Sequence, residues 1–245
     1  MTERILVSPG DLLGDGVFET IHLRPAGPWL LEEHLARLRR SAEILEMPPP
    51  PISKIRTAIS EISEMSGVLR IVYTRNRTVS VTVSTIPAAV LGERHDGIRA
   101  ISARLDDPPP WSIREAKSLS YASNFAARRW AARHGAEEVV WLSSRGYVLE
   151  APTSSVVWLT DGVLATVPPA EAGILAGITA AHLLSAAGEA GLTAAERMIT
   201  LPDLAAADAI WLASSLRGLA EVTELDGVAR GRSPWTPRLL ELLGY

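Results

Sequence analysis

The chain has 245 residues, 47% of them hydrophobic and 21% charged, which is the composition of a soluble globular protein with room for a substantial core. Its net charge of −4, with no block of like charge, gives no bulk attraction for nucleic acid or for an anionic membrane surface. Cysteine is absent, which excludes disulfides, thiolate chemistry and cysteine-based zinc sites, and the five histidines show no H-x-x-x-H pairing, so no metal site is expected.

Neither the N-terminal stretch nor any later segment has the run of apolar residues that a signal peptide or a membrane span requires. The expected location is therefore the cytoplasm. The expected binding partner is a small molecule rather than a nucleic acid or a membrane.

Alternating and helical apolar patterns divide the first part of the chain into strands and helices. The spacing of Leu31, Leu35 and Leu38 predicts a helix, which the proline run at 48–51 ends. The predicted elements are a strand at 17–24, helices at 30–46 and 52–66, and strands at 68–75, 78–86 and 97–104.

A proline-rich segment at 106–112 is predicted to separate two domains, because three consecutive prolines are stiff and cannot enter the interior of a sheet. The expected division is a smaller domain at 1–105 and a larger domain at 113–245. The elements predicted beyond the linker are helices at 120–134, 177–190, 201–206 and 234–243, and strands at 137–142, 147–149, 155–160, 163–167, 194–199, 209–213 and 220–225.

Lys117 is the most informative residue of the sequence, because the chain contains 22 arginines but only two lysines. An amine can lose its proton and attack a carbonyl, whereas a guanidinium group cannot. Codon bias toward arginine would produce the same scarcity, and a lone lysine is most often a solvated surface residue. Lys117 is therefore informative only together with the other segments.

Four further residues suit an anion or a ring nitrogen. Arg37 lies between two leucines of the first helix, where its side chain either snorkels to the surface or reaches a buried anion. Thr179, in G-I-L-A-G-I-T before an apolar helix, either caps that helix or joins its N–H groups in binding a phosphate. Ser215 follows the apolar strand I-W-L-A, and Glu150 ends the predicted strand Y-V-L-E.

An amine, a lone carboxylate and three sets of phosphate-binding donors together match the needs of a pyridoxal 5′-phosphate site. Such a site uses a lysine for the cofactor aldehyde, an acid for the pyridinium nitrogen, and N–H and hydroxyl groups for the phosphate. The Walker sequence of nucleoside triphosphate sites is absent.

From Gly14 to Gly227 the sequence resembles the class IV (fold type IV) pyridoxal-phosphate enzymes, which include branched-chain aminotransferases, D-amino-acid aminotransferases and aminodeoxychorismate lyases. The resemblance implies an α+β fold of two domains, a smaller N-terminal α/β domain and a larger C-terminal pseudo-barrel domain, and usually a homodimer. It implies that Lys117 forms the Schiff base with pyridoxal 5′-phosphate and that Glu150 pairs with the pyridine nitrogen. The other implied cofactor contacts are Tyr121 at the phenolic oxygen and, at the phosphate, Arg37, Ile178, Thr179 and Ser215.

Within this family the motif S-L-R-G at 215–218 is most similar to the lyases, and Phe18 stands where D-amino-acid aminotransferases tend to have tyrosine. The resemblance therefore implies a lyase that converts 4-amino-4-deoxychorismate to 4-aminobenzoate and pyruvate in folate biosynthesis. Arg217 is expected either to pair with a substrate carboxylate or to form an outward salt bridge. Arg75 or Arg77 is a further pocket candidate, and Thr20 or a water is the candidate for protonating the expelled methylene group.

Three departures from the family pattern bear on specificity. The D-R-G before the G-D-G turn is absent, Ala180 replaces an arginine after G-I-T, and Ser155 replaces an asparagine in E-A-P-T-S-S. Two alternatives to the lyase therefore stay open. One is an aminotransferase for branched-chain or D-amino acids that uses the same lysine, and the other is a homologue that has lost its catalytic activity.

Overall fold

A computed structural model describes residues 13–62 and 66–245, which divide into two structural units. The N-terminal unit consists of the described residues up to Thr85 together with Ile113–Ala122. The C-terminal unit consists of Ile86–Ser112 together with Ser123–Tyr245. No helix in these ranges combines the length and the apolar character that crossing a membrane requires.

The N-terminal unit is built on an antiparallel sheet with the strand order β2-β1-β3-β4. Its strands are β1 (Gly16–Arg24), β2 (Gly27–Pro28), β3 (Gly67–Thr74) and β4 (Val79–Ser84), and its helices are α1 (Leu31–Ile44) and α2 (Ile52–Ser60). Alternate residues of β1 face the core, where Ile21 packs in one cluster with Leu38 of α1 and Leu69 of β3. Glu19 belongs to the same row of β1 and is a carboxylate with no exposed surface.

The segment that carries Lys117 pairs with the beginning of β1. The Phe18 N–H donates to the Lys117 carbonyl at 2.9 Å, and the Leu119 N–H donates to the Gly16 carbonyl at 2.8 Å. The Lys117 N–H donates to Ser41 Oγ of α1 at 3.0 Å. These bonds place the lysine in the N-terminal unit, whereas the division drawn from the sequence placed it in the larger domain.

The C-terminal unit contains, in its described residues, a mixed eight-stranded sheet with the order β6-β5-β11-β10-β7-β8-β9 and with β12 paired to β11. Its strands are β5 (Ile98–Arg104), β6 (Glu138–Leu142), β7 (Ser155–Thr160), β8 (Val163–Thr166), β9 (Thr193–Glu196), β10 (Ala209–Ser214), β11 (Gly218–Leu225) and β12 (Val228–Ala229). The helices that follow Thr85 are α3 (Ala88–Asp96), α4 (Ala122–Arg133), α5 (Pro169–Ala172), α6 (Ile178–Ala186), α7 (Leu201–Ala205) and α8 (Trp235–Leu242). This curled half-barrel sheet confirms the predicted fold class.

The structure divides the chain differently from the sequence at residues 86–105 and 113–122. β5 belongs to the C-terminal sheet because it pairs in parallel with both β6 and β11. A local apolar pattern predicts that a strand exists, but it does not predict which other strands pair with it.

Several predicted elements also differ in detail. α3 was not predicted from the sequence, because none of its residues is buried and its apolar pattern is therefore weak. In place of the strand predicted at 147–149, Tyr147 and Val148 form isolated bridges. The helix predicted at 177–190 is α6 followed by a 3-10 turn at Ala187–Ala190. Residues 63–65 of the helix predicted at 52–66 lie outside the described residues.

Candidate active site

The amine of Lys117 lies beside two aromatic rings of the N-terminal unit. Its Nζ is 4.5 Å from the centroid of the Phe18 ring and 5.4 Å from the centroid of the Tyr121 ring. The two rings meet edge to face, with centroids 5.2 Å apart and planes at 88°, an arrangement that aromatic pairs prefer. Phe18 is 5% exposed. Lys117, Phe18 and Tyr121, all predicted from the sequence as site residues, thus lie together. The aromatic rings give the lysine amine an apolar border, which suits a nucleophilic lysine.

A buried network of Glu19, Arg37 and His34 lies in the same unit. Arg37 donates from Nε to Glu19 Oε1 at 2.8 Å and from Nη2 to Oε2 at 2.7 Å, and His34 Nδ1 is 2.7 Å from Oε2. Burial alone would raise the pKa of Glu19, but Arg37 and then His34 lower it to about 2. Burial lowers the pKa of His34 although Glu19 opposes this effect, so we assign a neutral imidazole whose Nδ1–H donates to Glu19.

This network corrects one expectation for Arg37. The side chain does not snorkel, because it reaches a buried anion, the Glu19 carboxylate. The contact with a cofactor phosphate, which the family resemblance implies for Arg37, stays a prediction.

Arg70 is a candidate site residue that was not predicted from the sequence. It lies directly opposite Thr20 in the β1–β3 pair, so both side chains share the face of the sheet that carries Phe18. Its side chain is exposed, and Cζ lies 5.2 Å from the Phe18 centroid. In ranges 13–62 and 66–245, no carboxylate forms an ion pair with it. The signal was an arginine inside the apolar strand V-L-R-I-V-Y.

Arg75 lies at the G-D-G turn before β1. It binds Asp15 from Nε at 2.6 Å and from Nη2 at 3.1 Å, and it donates to the Leu45 and Glu46 carbonyls at 2.8 and 3.1 Å. An open pocket of about 300 Å³ borders these residues. The contacts describe a side chain that ties the turn to the end of α1, while its role toward a substrate stays a prediction.

In the C-terminal unit, the beginning of α6 has the features of an anion site. Gly177 precedes Ile178, and no side chain caps the helix, so the alternative that Thr179 is the cap is wrong. Thr179 is 2% exposed, and its Oγ1 has no hydrogen-bond partner within the described structure. A buried hydroxyl without a partner costs free energy, and the first N–H groups of a helix have no intrahelical acceptor. The cofactor phosphate would satisfy both.

Close packing explains the glycine at the cap. A Cβ on Gly177 would lie 2.0 Å from Ser155 Oγ, a distance no side chain tolerates. Ser155, which stands where the family has asparagine, therefore packs against the start of α6.

Ser215 and Glu150 are both half-buried in the C-terminal unit. Ser215 opens the β10–β11 turn (Ser215–Arg217), and its carbonyl accepts a hydrogen bond from Tyr245 Oη at 2.6 Å. The Glu150 carbonyl accepts from the Trp141 N–H at 2.9 Å. Their contacts with the cofactor phosphate and the pyridine nitrogen stay predictions.

Arg217 is 3% exposed and is held by groups of its own unit. Nε donates to Glu93 Oε2 at 2.8 Å, and Nη1 donates to Ser154 Oγ at 2.6 Å. Nη2 lies 2.6 Å from Glu93 Oε2 and 3.6 Å from Glu138 Oε2. Burial raises the pKa of Glu138, although Arg217 and then Arg128 oppose it. The outward salt bridge expected as the alternative is therefore wrong, and these contacts give no support to a bond with a substrate carboxylate.

No group of three or more histidine, aspartate or glutamate side chains in the described part of the chain is arranged to hold a metal ion. In the N-terminal unit an amine lies beside aromatic rings, which suits binding of an aldehyde. In the C-terminal unit a buried hydroxyl at a helix start has no hydrogen-bond partner within the described structure, which suits binding of a phosphate. The residues present thus fit the pyridoxal 5′-phosphate that the resemblance implies.

Comparison with known proteins identifies the family. The sequence model described as Amino-transferase class IV matches residues 16–225. The bifunctional aminodeoxychorismate lyase / D-amino acid transaminase of Mycobacterium tuberculosis is 39% identical over 256 aligned residues, which cover 94% of this chain and 88% of that protein.

Solved structures of other proteins share the fold. A hypothetical aminotransferase from Mycobacterium tuberculosis, in a PLP-bound form and in an α-ketoglutarate and PMP bound form, has a TM-score of 0.91 at 37% identity and covers 100% of this chain and 94% of that chain. A fold IV transaminase from Curtobacterium pusillum has a TM-score of 0.86 at 35% identity and covers 100% and 88% of the two chains. The chain therefore belongs to the class IV aminotransferase family, and it is an enzyme of this family with pyridoxal 5′-phosphate as its cofactor.

Proposed function

We propose that this enzyme is an aminodeoxychorismate lyase, which converts 4-amino-4-deoxychorismate to 4-aminobenzoate and pyruvate in folate biosynthesis. The observation that carries the proposal is the setting of the Lys117 amine beside the Phe18 and Tyr121 rings. Aromatic faces suit a substrate whose amine is attached to a six-membered carbon ring. Arg70, near the same Phe18 ring, offers an exposed cation for a substrate carboxylate. The Mycobacterium tuberculosis relative, whose name includes this activity, supports the proposal.

Pyridoxal 5′-phosphate would supply two groups when bound. Its aldehyde would bind the substrate amine, and its pyridinium ring would accept an electron pair from the substrate. Lys117 would hold the cofactor through its aldehyde, and its Nζ would remove the proton from C4 of the substrate. Phe18 and Tyr121 keep the substrate ring beside Nζ, and Arg70 orients it by a carboxylate. Glu150 would hold the pyridine nitrogen in its protonated form, which would make the ring a better electron acceptor.

Thr20, on the β1 face that carries Phe18, is the candidate donor of the last proton. The C3–O bond of the substrate breaks and its electron pair goes to the oxygen, so that this proton converts the leaving enolpyruvate into pyruvate. The substrate ring, having lost its C4 proton and the enolpyruvyl group, becomes the aromatic ring of 4-aminobenzoate, which drives the reaction forward.

The test is incubation of the holoenzyme with 4-amino-4-deoxychorismate. The fluorescence of 4-aminobenzoate is recorded, and pyruvate is measured with lactate dehydrogenase. Equal amounts of both products are expected from the wild type. Lys117→Arg keeps the positive charge but removes the nucleophile and base, so it should form neither product. A wild-type holoenzyme that releases neither product would refute the lyase.

An aminotransferase is the second candidate. The name of the same relative includes a D-amino acid transaminase, and a related structure contains α-ketoglutarate and PMP. Lys117 would then carry a proton from the α-carbon of an amino acid to C4′ of the cofactor. Formation of glutamate from α-ketoglutarate with D-alanine or a branched-chain amino acid as donor, without 4-aminobenzoate from the lyase substrate, would select this function.

The sequence also left open a homologue that has lost its activity, and the family membership and the cofactor speak against it. It would stay colourless after addition of pyridoxal 5′-phosphate and would show neither activity. A homodimer in the cytoplasm accompanies the proposal as an expectation, and light scattering of the purified holoenzyme measures the oligomeric state.

A further inference from the structure

Two side chains, Arg94 and Tyr245, hold the β10–β11 turn by its carbonyl groups. Tyr245 Oη donates to the Ser215 carbonyl at 2.6 Å. Arg94, near the end of α3, donates from Nη2 to the Leu216 carbonyl at 2.6 Å and from Nε to the Arg217 carbonyl at 2.8 Å. Three consecutive carbonyl groups are thus drawn toward one pair of side chains.

The two side chains also support each other. Arg94 Cζ lies 3.9 Å from the centroid of the Tyr245 ring, a cation–π contact. Next to the turn, Gly218 has a φ of +66°, and a Cβ there would lie 2.8 Å from the Tyr245 ring. The glycine therefore lets the ring approach the backbone closely, and the ring fixes the side of the turn on which its hydroxyl acts.

The carbonyl bonds have a consequence for the N–H groups. In a planar trans peptide the C=O and the N–H point in opposite directions. When the Ser215 and Leu216 carbonyls point toward Arg94 and Tyr245, the N–H groups of Leu216 and Arg217 point away from them. Successive N–H groups directed to one side form a concavity that binds anions.

We propose that Arg94 and Tyr245 are positioning residues for the cofactor phosphate. They hold the β10–β11 turn by its carbonyls, so that its N–H groups and the Ser215 hydroxyl remain directed at the phosphate before it binds. The inference rests on the proposed role of Ser215 in phosphate binding. It assigns a function in cofactor affinity to two side chains that themselves touch only the protein.

The test compares pyridoxal 5′-phosphate with pyridoxal, which has the aldehyde but no phosphate. Dissociation constants of both are measured by fluorescence titration of the cofactor-free full chain. Tyr245→Phe keeps the ring and removes one hydrogen bond, so it should weaken pyridoxal 5′-phosphate binding by about 3- to 10-fold, and Arg94→Gln by about 10- to 100-fold. Pyridoxal binding should not change in either variant.

Tyr147→Phe is the matched control, because Tyr147 is also a half-buried tyrosine of this unit with an arginine, Arg145, 5.9 Å from its ring. It should bind both compounds like the wild type. If Tyr245 had only a structural role, Tyr245→Phe would lower the melting temperatures of the cofactor-free and cofactor-bound forms equally. Only a change in cofactor affinity alters the difference between these two melting temperatures.

Equal weakening of both compounds, or unchanged binding of both, would overturn the inference. The Ser215→Ala variant distinguishes a failure of the positioning role from a failure of the phosphate role of Ser215. Weaker pyridoxal 5′-phosphate binding in Ser215→Ala together with unchanged binding in Tyr245→Phe overturns the positioning role alone. Unchanged binding in Ser215→Ala overturns the phosphate role of Ser215. A wild type that binds the cofactor and turns over no substrate refutes the proposed function and leaves this comparison intact.

Discussion

Replacing Glu19 by glutamine should remove a defined part of the pH dependence of folding. Glu19 is fully buried, and Arg37 with His34 lowers its pKa from 4.5 to about 2. A group whose pKa is lower in the folded state stabilises the fold at every pH above its unfolded-state pKa. That contribution is lost as the pH falls through the window between the two values. Glu19→Gln lacks this titration and keeps an oxygen that accepts from Arg37.

The magnitude follows from the two pKa values. A lowering from 4.5 to about 2 corresponds to roughly 3 kcal/mol of folding free energy at pH 7. At pH 3 about 2 kcal/mol of this amount has been lost, because the unfolded carboxyl is protonated there while the folded one is still mostly ionised. The difference in unfolding free energy between the wild type and Glu19→Gln should therefore shrink by about 2 kcal/mol from pH 7 to pH 3.

The assay is urea unfolding of the cofactor-free protein, followed by circular dichroism at several pH values between 7 and 3. Glu32→Gln is the matched control, because Glu32 also pairs with an arginine, Arg56, but on the exposed surface of α1. Solvent screens such a pair, so its replacement should change stability little at any pH. A constant difference between the wild type and Glu19→Gln across this range would refute the buried ion pair as the cause.

Three substitutions at the candidate site complete the predictions. Borohydride reduction of the holoenzyme should attach the cofactor to Lys117, and mass spectrometry of Lys117→Arg should find no adduct there; an adduct elsewhere in the wild type contradicts the assignment. Thr179→Val should stabilise the cofactor-free protein to urea by about 1 kcal/mol yet weaken cofactor binding about tenfold, and unchanged affinity would exclude the hydroxyl from the phosphate site. Arg70→Gln should lower kcat/KM about 10- to 100-fold for substrates with a carboxylate. The kcat/KM for an amine without a carboxylate should not change, and an equal loss of kcat/KM for both would indicate a structural role.

The chemistry of the site was accessible from sequence because it depends on residue type and local spacing. Lys117 was identified as an amine in an arginine-rich chain, and the comparisons confirm the family and the cofactor that it indicated. Thr179 was identified from a glycine, an apolar residue and a hydroxyl before a helix, and α6 does begin at Ile178. Both patterns lie within a few neighbouring residues, where helix periodicity and capping rules apply.

The partners of the charged side chains were not accessible in the same way. Helical spacing placed Arg37 near the buried face of α1, but its partner Glu19 lies 18 positions away on β1. Arg217 was expected to pair with a substrate carboxylate or to form an outward salt bridge. Its partner Glu93 lies 124 positions away, on a helix that the apolar pattern did not reveal. Arg70 was overlooked because its importance comes from the position of Phe18 on the neighbouring strand.

The amino-acid sequence by itself determined the class of protein, the order of most helices and strands, and the residue types able to bind an aldehyde, a ring nitrogen and a phosphate. Only the tertiary structure decided that β5 joins the C-terminal sheet, that the Lys117 segment pairs with β1, and which carboxylate each buried arginine meets. The physical reason is range: periodicity and capping act over a few residues, whereas strand pairing and ion pairing join positions that only the packing of distant segments brings together.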